Sequence, residues 1–284
     1  SPEQGANTHP LVVRAVVEAA LAAGAARVLV FDRTCNEPRR CYASSGIEAA
    51  VQAIGDRRAV IEHADPRKFV PVEISRGQAL TRWDIHREAL DCDCYINLPV
   101  AKHHGLSGLT LGLKNAMGAI GGNRGTLHHD LAQSLADLAT VLQPKLTLID
   151  ATRILLRNGP QGGDVADVRR LDTLVASADP VAADAWASTL FDLRPETIAL
   201  TVAALAAPTL AHANRMGGAK SRSIPPASIG KAPSTPAAPV APKAPTAPAA
   251  AAAPAPAAAA APAARGPGMM GTMGAAAVGA VAAT

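Results

Sequence analysis

Short apolar runs of strand length alternate with helical hydrophobic patterns along the first part of the chain. Pro10 suits the first turn of a helix, and the following "LVVRAVVEAALAAG" carries apolar residues at helical spacing until Gly24. The run "RVLVF" then has the character of a short buried strand that ends before Asp32. Apolar strands that alternate with helices are typical of parallel sheets. The pattern therefore predicts an α/β domain with a largely parallel sheet and helices on both faces.

The same alternation continues along the chain. Further helices are predicted at "GIEAAVQAIG", "TRWDIHREAL", Leu106 to Ile120, "DLAQSLADLATVL" and "DPVAADAWASTLF". Further strands are predicted at "AVIEH", "FVPVEI", "CYINLPV", "KLTLID" and "LDTLVAS". Because the domain opens on a helix, we expect that a strand encoded upstream of Ser1 is missing, which would leave an edge of the sheet exposed.

The composition changes after residue 217, where prolines interrupt long alanine runs and large apolar side chains become rare. Such a segment cannot offset its ordering entropy by burial, so we expect residues 218–284 to be a disordered tail. Its last stretch, "GMMGTMGAAAVGAVAAT", is weakly apolar and too short to span a membrane. The sequence thus predicts an α/β domain over residues 1–217 and an Ala/Pro-rich tail over residues 218–284.

The formal net charge of +4 does not indicate a nucleic-acid-binding protein. The basic residues are scattered, and only 2% of the residues are aromatic, so few side chains could stack on bases. Neither a secretory signal nor a transmembrane run is visible, but the chain begins at Ser1 without a methionine. We expect an upstream segment to carry the targeting information, which leaves both the cytoplasm and the periplasm open.

The stretch "KHHGLSGLTLGLKNAMGAIGG" follows a predicted strand, and in open α/β sheets ligands bind beyond the carboxyl ends of strands. If residues 106–120 are helical, Ser107, Thr110 and Lys114 lie on one face, and Lys102 lies in the preceding loop. Lysines, helix amides and close-packed glycines together form sites for phosphate or carboxylate. The stretch therefore predicts an anion site; the alternative is a glycine-rich packing helix with solvated lysines.

Histidines are the candidate acid–base groups. His104 lies in the loop before the predicted helix, and His128 and His129 precede the helix "DLAQSLADLATVL". One of the latter two could face the same crevice as His104 and act as an acid, a base or a hydrogen-bond donor. With nearby carboxylates these histidines could instead bind a divalent metal, although the sequence has no His-x-x-x-His pair.

Aspartates and a glycine-rich loop provide further candidates. Asp32 and Asp150 end predicted strands, where each could cap a turn or face the crevice. Asp184 lies one turn into a predicted helix and is placed to face a site. In the loop "RNGPQGGD", Gly159 and Gly162 could let the backbone approach a ligand or could simply form a tight loop.

The four cysteines lack the compact run that iron–sulfur clusters require: they are Cys35, Cys41, Cys92 and Cys94. Their number and spacing predict buried free thiols. We therefore do not expect an iron–sulfur cluster within this chain, and the identity of any other cofactor stays open.

Five motifs of the chain closely resemble one bacterial and archaeal family, catalogued as domain of unknown function 362. They are "INLPVAKHHGLSGLTLGLKNAMG", "LHHDLAQSLADL", "LIDATR", "NGPQGG" and "SADPVAADA". The resemblance extends from Thr8 to about Gly217. It places family motif residues at Lys102, His104, Lys114, Asn115, His128, Asp137, Gly159, Pro160, Gly162, Asp179, Pro180 and Asp184, with His129 as the other match for the histidine that leads the helix.

The resemblance implies a redox association rather than a defined reaction. Members of the family look redox-associated, since some carry ferredoxin-like cluster domains and some carry twin-arginine export signals. This chain departs from that pattern, because an Ala/Pro-rich tail stands where a ferredoxin cysteine run would follow.

Two functional hypotheses result. In the first, the chain is an enzyme or cofactor-binding protein that holds a small anionic ligand in a strand-end crevice, with a divalent metal as an optional helper. Its candidate residues are His104, His128 and Asp184 for catalysis, and Lys102, Ser107, Thr110, Lys114, Asn115, Gly159 and Gly162 for binding. In the second, it is a non-catalytic accessory protein for a redox or iron–sulfur partner, with the tail as a tether.

Overall fold

The computed structural model describes residues 2–194 and 280–283, which belong to one compact unit. The strands within these residues are β1 Val28–Phe31, β2 Ala59–Ile61, β3 Phe69–Glu73, β4 Arg82–His86, β5 Cys94–Asn97, β6 Val100–His104, β7 Gly108–Thr110, β8 Leu146–Leu155, β9 Val168–Ser177 and β10 Ala280–Ala283.

The same residues form seven α-helices and several 3₁₀ helices. The α-helices are α1 Pro10–Ala22, α2 Pro38–Ser45, α3 Ile47–Gln52, α4 Arg87–Asp91, α5 Gly112–Asn115, α6 Leu131–Ala139 and α7 Pro180–Ser188. The 3₁₀ helices are Pro2–Gln4, Pro66–Lys68, Ala116–Ala119, Arg124–Asp130, Val165–Asp167 and Thr189–Phe191. Both α1 and α7 begin with a proline behind a capping side chain, His9 or Asp179, which explains where these helices start.

One eight-stranded sheet forms the centre of the unit. In it β2, β1, β5, β8 and β6 run in one direction, while β10, β7 and β9 are antiparallel to their neighbours. Thr147 of β8 pairs with Asn97 of β5 on one side and with Ser177 of β9 on the other. β10 lies between β1 and β5, and β3 and β4 form a separate two-stranded sheet.

The two faces of β1 pack against different helices. Val28 and Val30 belong to a core with side chains of α1 and α3, and Leu29 and Phe31 belong to another core with side chains of α4 and α6. Because successive side chains of a strand point to opposite faces, helices cover both faces of this strand. The predicted α/β fold with a largely parallel central sheet is confirmed.

The helix predicted for Leu106 to Ile120 is wrong. β6 turns back into β7 with Lys102 opposite Thr110, and only Gly112–Asn115 of the stretch is α-helical. Gly108 has a φ of 73°, a left-handed conformation that interrupts a helix and suits this turn. Ser107, Thr110 and Lys114 therefore do not lie on one helix face as their spacing suggested.

The helix predicted at "TRWDIHREAL" is wrong in its first half. Arg82–His86 form β4, which pairs with β3, and α4 begins only at Arg87. Trp83 and Ile85 both pack in the core and are more buried than Asp84 between them. This alternation is typical of a strand.

The predicted tail lies outside the described residues except for Ala280–Ala283, which form β10. The predicted boundary after residue 217 lies outside them as well. Within the described residues, no helix combines the length and the apolar character that crossing a membrane requires.

Candidate functional site

A pocket of about 570 Å³ opens beyond the carboxyl ends of the parallel strands β1, β6 and β8. Its lining residues come from the segments 33–35, 102–110, 114–117, 122–128 and 158–162. Four of the lining residues are arginine or lysine, and within the described part of the chain no Asp or Glu lines the pocket. This cavity, called the basic pocket below, has the size and position of a small-molecule site in an α/β protein.

Lys102 lies on β6 and is only 1% exposed. Its Nζ donates a hydrogen bond of 2.6 Å to the carbonyl oxygen of Ala6. Burial lowers the pKa of the Lys102 amine to about 7, the charge of Asp32 opposes this change, and the charge of Lys114 adds to it. The amine is therefore anchored and only partly charged at neutral pH.

Lys114 lies on α5 and is 7% exposed. Its Nζ lies 3.1 Å from the Sδ of Met117 and has no oxygen at hydrogen-bonding distance among the described residues. Burial lowers the pKa of Lys114 to about 8, the Cys35 thiol group opposes this change, and the charge of Arg124 adds to it. Because a thioether is only a weak acceptor, the charged form of this amine is poorly stabilised.

His104, at the end of β6, is a neutral ring with a defined tautomer. Its Nδ1 accepts hydrogen bonds from the backbone amides of Leu106 and Ser107, at 3.1 and 3.3 Å. The proton of the ring is therefore on Nε2. Burial, followed by the charges of Lys114 and Lys102, lowers the pKa of His104 to about 4.

His128 lines the same pocket with the opposite tautomer. Its Nδ1 lies 3.2 Å from the carbonyl oxygen of Gly125, and because a carbonyl only accepts, Nδ1 carries the proton and Nε2 is the acceptor of the neutral ring. The rings of His104 and His128 are stacked with centroids 6.2 Å apart. Burial, followed by the charge of Lys114, lowers the pKa of His128. His129 is exposed and does not line the pocket.

Sequence reasoning missed Arg124 and the loop after β1. Arg124 donates hydrogen bonds to the carbonyl oxygens of Arg33, Met117 and Thr34, at 2.6, 2.9 and 3.1 Å, and its Nη2 lies 3.3 Å from the Sγ of Cys35. These contacts join two segments that are far apart in the sequence, and no local motif predicts them. Cys35 is exposed at the pocket, contrary to the expectation of buried thiols.

Thr110, Gly159 and Gly162 also line the pocket. A Cβ at position 159 would lie 1.9 Å from the carbonyl oxygen of His103, and the Gly159 amide donates a hydrogen bond to the Nδ1 of His103 at 3.1 Å. The glycine is therefore required by the close approach of the loop to β6, whatever the pocket binds.

Asp184, predicted as a catalytic residue, is not a lining residue. Its two carboxylate oxygens accept the backbone amides of Gly112 and Leu113, at 2.6 and 3.0 Å, at the start of α5. Burial raises the pKa of Asp184 to about 7, and these two hydrogen bonds oppose the change. The helix amides that the sequence suggested for a ligand are thus bound by the protein's own carboxylate.

Ser107 and Asn115, predicted as binding residues, do not line the pocket either. The Ser107 hydroxyl donates to the carbonyl oxygen of Leu109 at 2.8 Å. The Asn115 side-chain amide donates to the Oδ1 of Asn97, also at 2.8 Å. The Ser107 side chain thus binds the backbone directly, and Asn115 binds Asn97, whose side-chain amide donates to the carbonyl oxygen of Gly112 at 2.8 Å.

Asp137, which belongs to the family motif, has a structural role in the described residues. One of its carboxylate oxygens accepts the backbone amides of Gln78, Ala79 and Leu80, at 2.7 to 3.0 Å. The other accepts the side-chain amide of Gln133 at 2.7 Å. The residue fixes the loop before β4 to α6.

The two aspartates at predicted strand ends differ in their surroundings. Asp150 lies within β8, where it accepts the backbone amide of His9 and the hydroxyl of Thr152, both at 2.7 Å. Asp32 follows β1, is 3% exposed, and has no hydrogen-bond partner for either side-chain oxygen among the described residues. Burial raises the pKa of Asp32 to about 7, against the charges of Arg124 and Lys102.

Within the described part of the chain, no set of side chains matches the ligand set of a metal ion or of an iron–sulfur cluster. In residues 2–194, no three His, Cys, Asp or Glu side chains lie together as metal ligands would. The four cysteines, all within this range, are free thiols. An iron–sulfur cluster needs four thiolates brought together.

The fold and the basic pocket define an α/β protein with a cavity lined by arginine and lysine at the carboxyl ends of its parallel strands. Residues 1–189 match the family described as Domain of unknown function (DUF362), and the chain belongs to this family. The family resemblance drawn from the sequence motifs is confirmed.

One curated relative shares part of this sequence. A thylakoid-associated protein of Synechocystis sp. is 31% identical over 141 residues, which are 47% of this chain and 40% of that protein. The match therefore spans less than half of the relative's own length. No solved structure matches the chain.

Proposed function

We propose that the basic pocket binds a small anionic substrate or cofactor and that the protein is an enzyme. One observation carries this proposal: the Lys114 side chain is 7% exposed, lines a pocket whose described walls contain no Asp or Glu, and has only the Met117 sulfur as a hydrogen-bond partner for its amine among the described residues. Burying an amine without a carboxylate partner is costly, and proteins accept this cost mainly at sites that bind an anion.

The lowered pKa of Lys114 indicates how strongly a bound anion would interact with its charged amine. One pKa unit corresponds to about 1.4 kcal/mol, so an anion that restored the amine from a pKa of about 8 to the ordinary value of about 10.4 would interact with its charged form by about 3 kcal/mol. Lys102, Arg33 and Arg124 line the same pocket and add positive charge. The pocket therefore favours an anion over a neutral molecule of the same shape.

The two histidines favour an enzyme over a simple anion receptor. Both rings are neutral, since the pKa of each is lowered, and they differ in tautomer. His104 offers an Nε2–H donor and His128 offers an Nε2 acceptor. A donor and an acceptor in one pocket are the groups that general acid–base chemistry requires.

The second candidate is an accessory protein for a redox or iron–sulfur partner. The thylakoid association of the relative and the exposed Cys35 in the pocket favour a redox setting. Deleting residues 218–271, which leaves β10 in the chain, separates the two functions: loss of partner association with intact anion binding supports the accessory role.

The test is thermal unfolding of the full chain with oxalate, phosphate, sulfate or acetate at constant ionic strength. An anion that binds the native protein specifically, at a concentration of about 100 times its Kd, stabilises the protein by about 2.7 kcal/mol. This raises the Tm of a domain of this size by about 5–10 °C. We expect this shift with at least one of the anions over a chloride control.

Lys114→Met should abolish the shift, and Lys145→Met, at an exposed lysine away from the pocket, should leave it intact. Equal Tm values in all anions, or an equal shift in both variants, would exclude the basic pocket as the anion site.

A further inference from the structure

The position of the Lys114 amine suits a nucleophile. We propose that Lys114 forms an imine with a 2-oxo acid bound in the basic pocket. This inference rests on the proposed function, since the carboxylate of the oxo acid is the anion that the pocket binds. It adds the carbonyl group as a second feature of the ligand and a covalent step at a named atom.

Lys114 is better suited to this role than Lys102. The Nζ of Lys102 is anchored to the Ala6 carbonyl oxygen at 2.6 Å, and the side chain is 1% exposed. The only hydrogen-bond partner of the Lys114 Nζ among the described residues is the Met117 sulfur. A nucleophilic amine needs a lone pair that is not engaged and a place in the cavity, and desolvation keeps it deprotonated. Burial and the Arg124 charge both lower its pKa, which raises the fraction of the neutral amine.

Two kinds of group in the pocket suit the two parts of an oxo acid, its carboxylate and its carbonyl. The charges of Lys102 and Arg124, which line the pocket with Lys114, attract the carboxylate of the oxo acid, so that its uncharged carbonyl group faces the Lys114 amine. Oxalate would place its second carboxylate there instead and would favour the charged amine. The Nε2–H of His104 is the donor available for the carbonyl oxygen, because its Nδ1 is engaged by two backbone amides. A neutral histidine that donates to a carbonyl makes its carbon more electrophilic.

The reaction balances without an oxidant or a reductant. The neutral amine attacks the carbonyl carbon, a C–N bond forms, and the carbonyl oxygen takes up one amine proton by way of the Nε2 of His128. The second amine proton follows the same route to the hydroxyl, the C–O bond breaks, and water leaves the imine. His128 can carry each proton because its Nε2 is the acceptor of the neutral ring.

The test traps the imine by reduction in the full-length protein. Glyoxylate, the smallest 2-oxo acid, is added with sodium cyanoborohydride at pH 7, and carboxymethylated lysines are quantified by peptide mass spectrometry. Lys145 is exposed and serves as the internal control in the same molecule. An amine with a pKa of about 8 is neutral about two hundred times more often at pH 7 than an ordinary lysine with a pKa of about 10.4. We expect Lys114 to be modified at least tenfold faster than Lys145.

Oxalate provides the control for the pocket itself, because it is a small carboxylate anion without an electrophilic aldehyde or ketone carbonyl. Preferential trapping at Lys114 that oxalate suppresses supports the inference. If oxalate stabilises the protein but Lys114 is modified no faster than Lys145, the imine is wrong and the anion site stands. If oxalate neither stabilises nor protects, both proposals fail. Lys114→Arg, which keeps the charge, should abolish the trapped adduct while retaining the oxalate shift.

Discussion

Replacing Lys114 with methionine should stabilise the protein without ligand, although it removes a residue central to the proposed function. The amine is 7% exposed, and its pKa is lowered by burial to about 8. In the unfolded chain an ordinary lysine has a pKa of about 10.4, so the native state disfavours the charged amine by about 3 kcal/mol at pH 7. Methionine has a similar length, carries no charge and would pack beside Met117.

The stability of the protein depends on pH because the native and unfolded states bind different numbers of protons. Between about pH 8 and 10.4 the unfolded chain holds a proton on this lysine that the native state has lost, so the stability of the wild type rises with pH in this window. The advantage of Lys114→Met should therefore fall from about 3 kcal/mol at pH 7 to below about 1 kcal/mol at pH 10.

Urea unfolding of both proteins at pH 7 and pH 10 measures this difference. Lys145→Met is the matched control at an exposed site, and surface substitutions of this kind change stability by about 0.5 kcal/mol or less. A Lys114→Met variant that is less stable than the wild type by the same amount at both pH values would refute the reasoning. Such a result would mean that the ammonium group makes stabilising contacts in the native protein.

Three further predictions concern the frame of the pocket. Gly159→Ala would place a Cβ 1.9 Å from the His103 carbonyl oxygen, so the free energy of unfolding measured in urea should fall by about 1–3 kcal/mol. Gly163→Ala is the control and should be nearly neutral, because a Cβ at position 163 would have no neighbouring atom within 4 Å. Asp184→Asn should cost about 1–3 kcal/mol in the same assay, because one of the two amides at the start of α5 loses its acceptor. Burial raises the pKa of Asp32 from 3.8 to about 7, so its contribution to wild-type stability falls as pH rises through this window, and Asp32→Asn should flatten the measured curve. An unchanged pH profile in that variant would place the titration elsewhere.

The α/β class and the largely parallel character of the sheet were accessible from the sequence because strand and helix periodicities are local properties. The same reasoning brought Lys102, His104 and Lys114 to one strand end, since loops that follow parallel strands meet at one edge of a sheet. It failed for residues 106–120 because the helical spacing of polar residues there is also compatible with a hairpin. The hairpin is set by the pairing of β6 with β7 and by the turn at Gly108.

The remaining errors have a different origin. Arg124 reaches the loop after β1 through the backbone carbonyls of Arg33 and Thr34. Asp184 reaches the start of α5 from a helix 71 residues away in the chain. Such contacts depend on how distant segments pack, and no pattern within either segment specifies them. The same holds for the pKa values of the lysines, which follow from burial rather than from the neighbouring residues in the sequence.

The most direct test of the central claim is the number of protons taken up when an anion binds. Isothermal titration of the full chain with oxalate at pH 8, in two buffers of different ionisation enthalpy, gives this number. An anion that holds the Lys114 amine in its charged form requires this amine to take up about half a proton at this pH, because a group with a pKa of about 8 is half protonated before binding. We predict this uptake in the wild type and its reduction in Lys114→Met. Binding with no proton uptake, unchanged by the substitution, would contradict the claim that buried lysine amines hold the ligand.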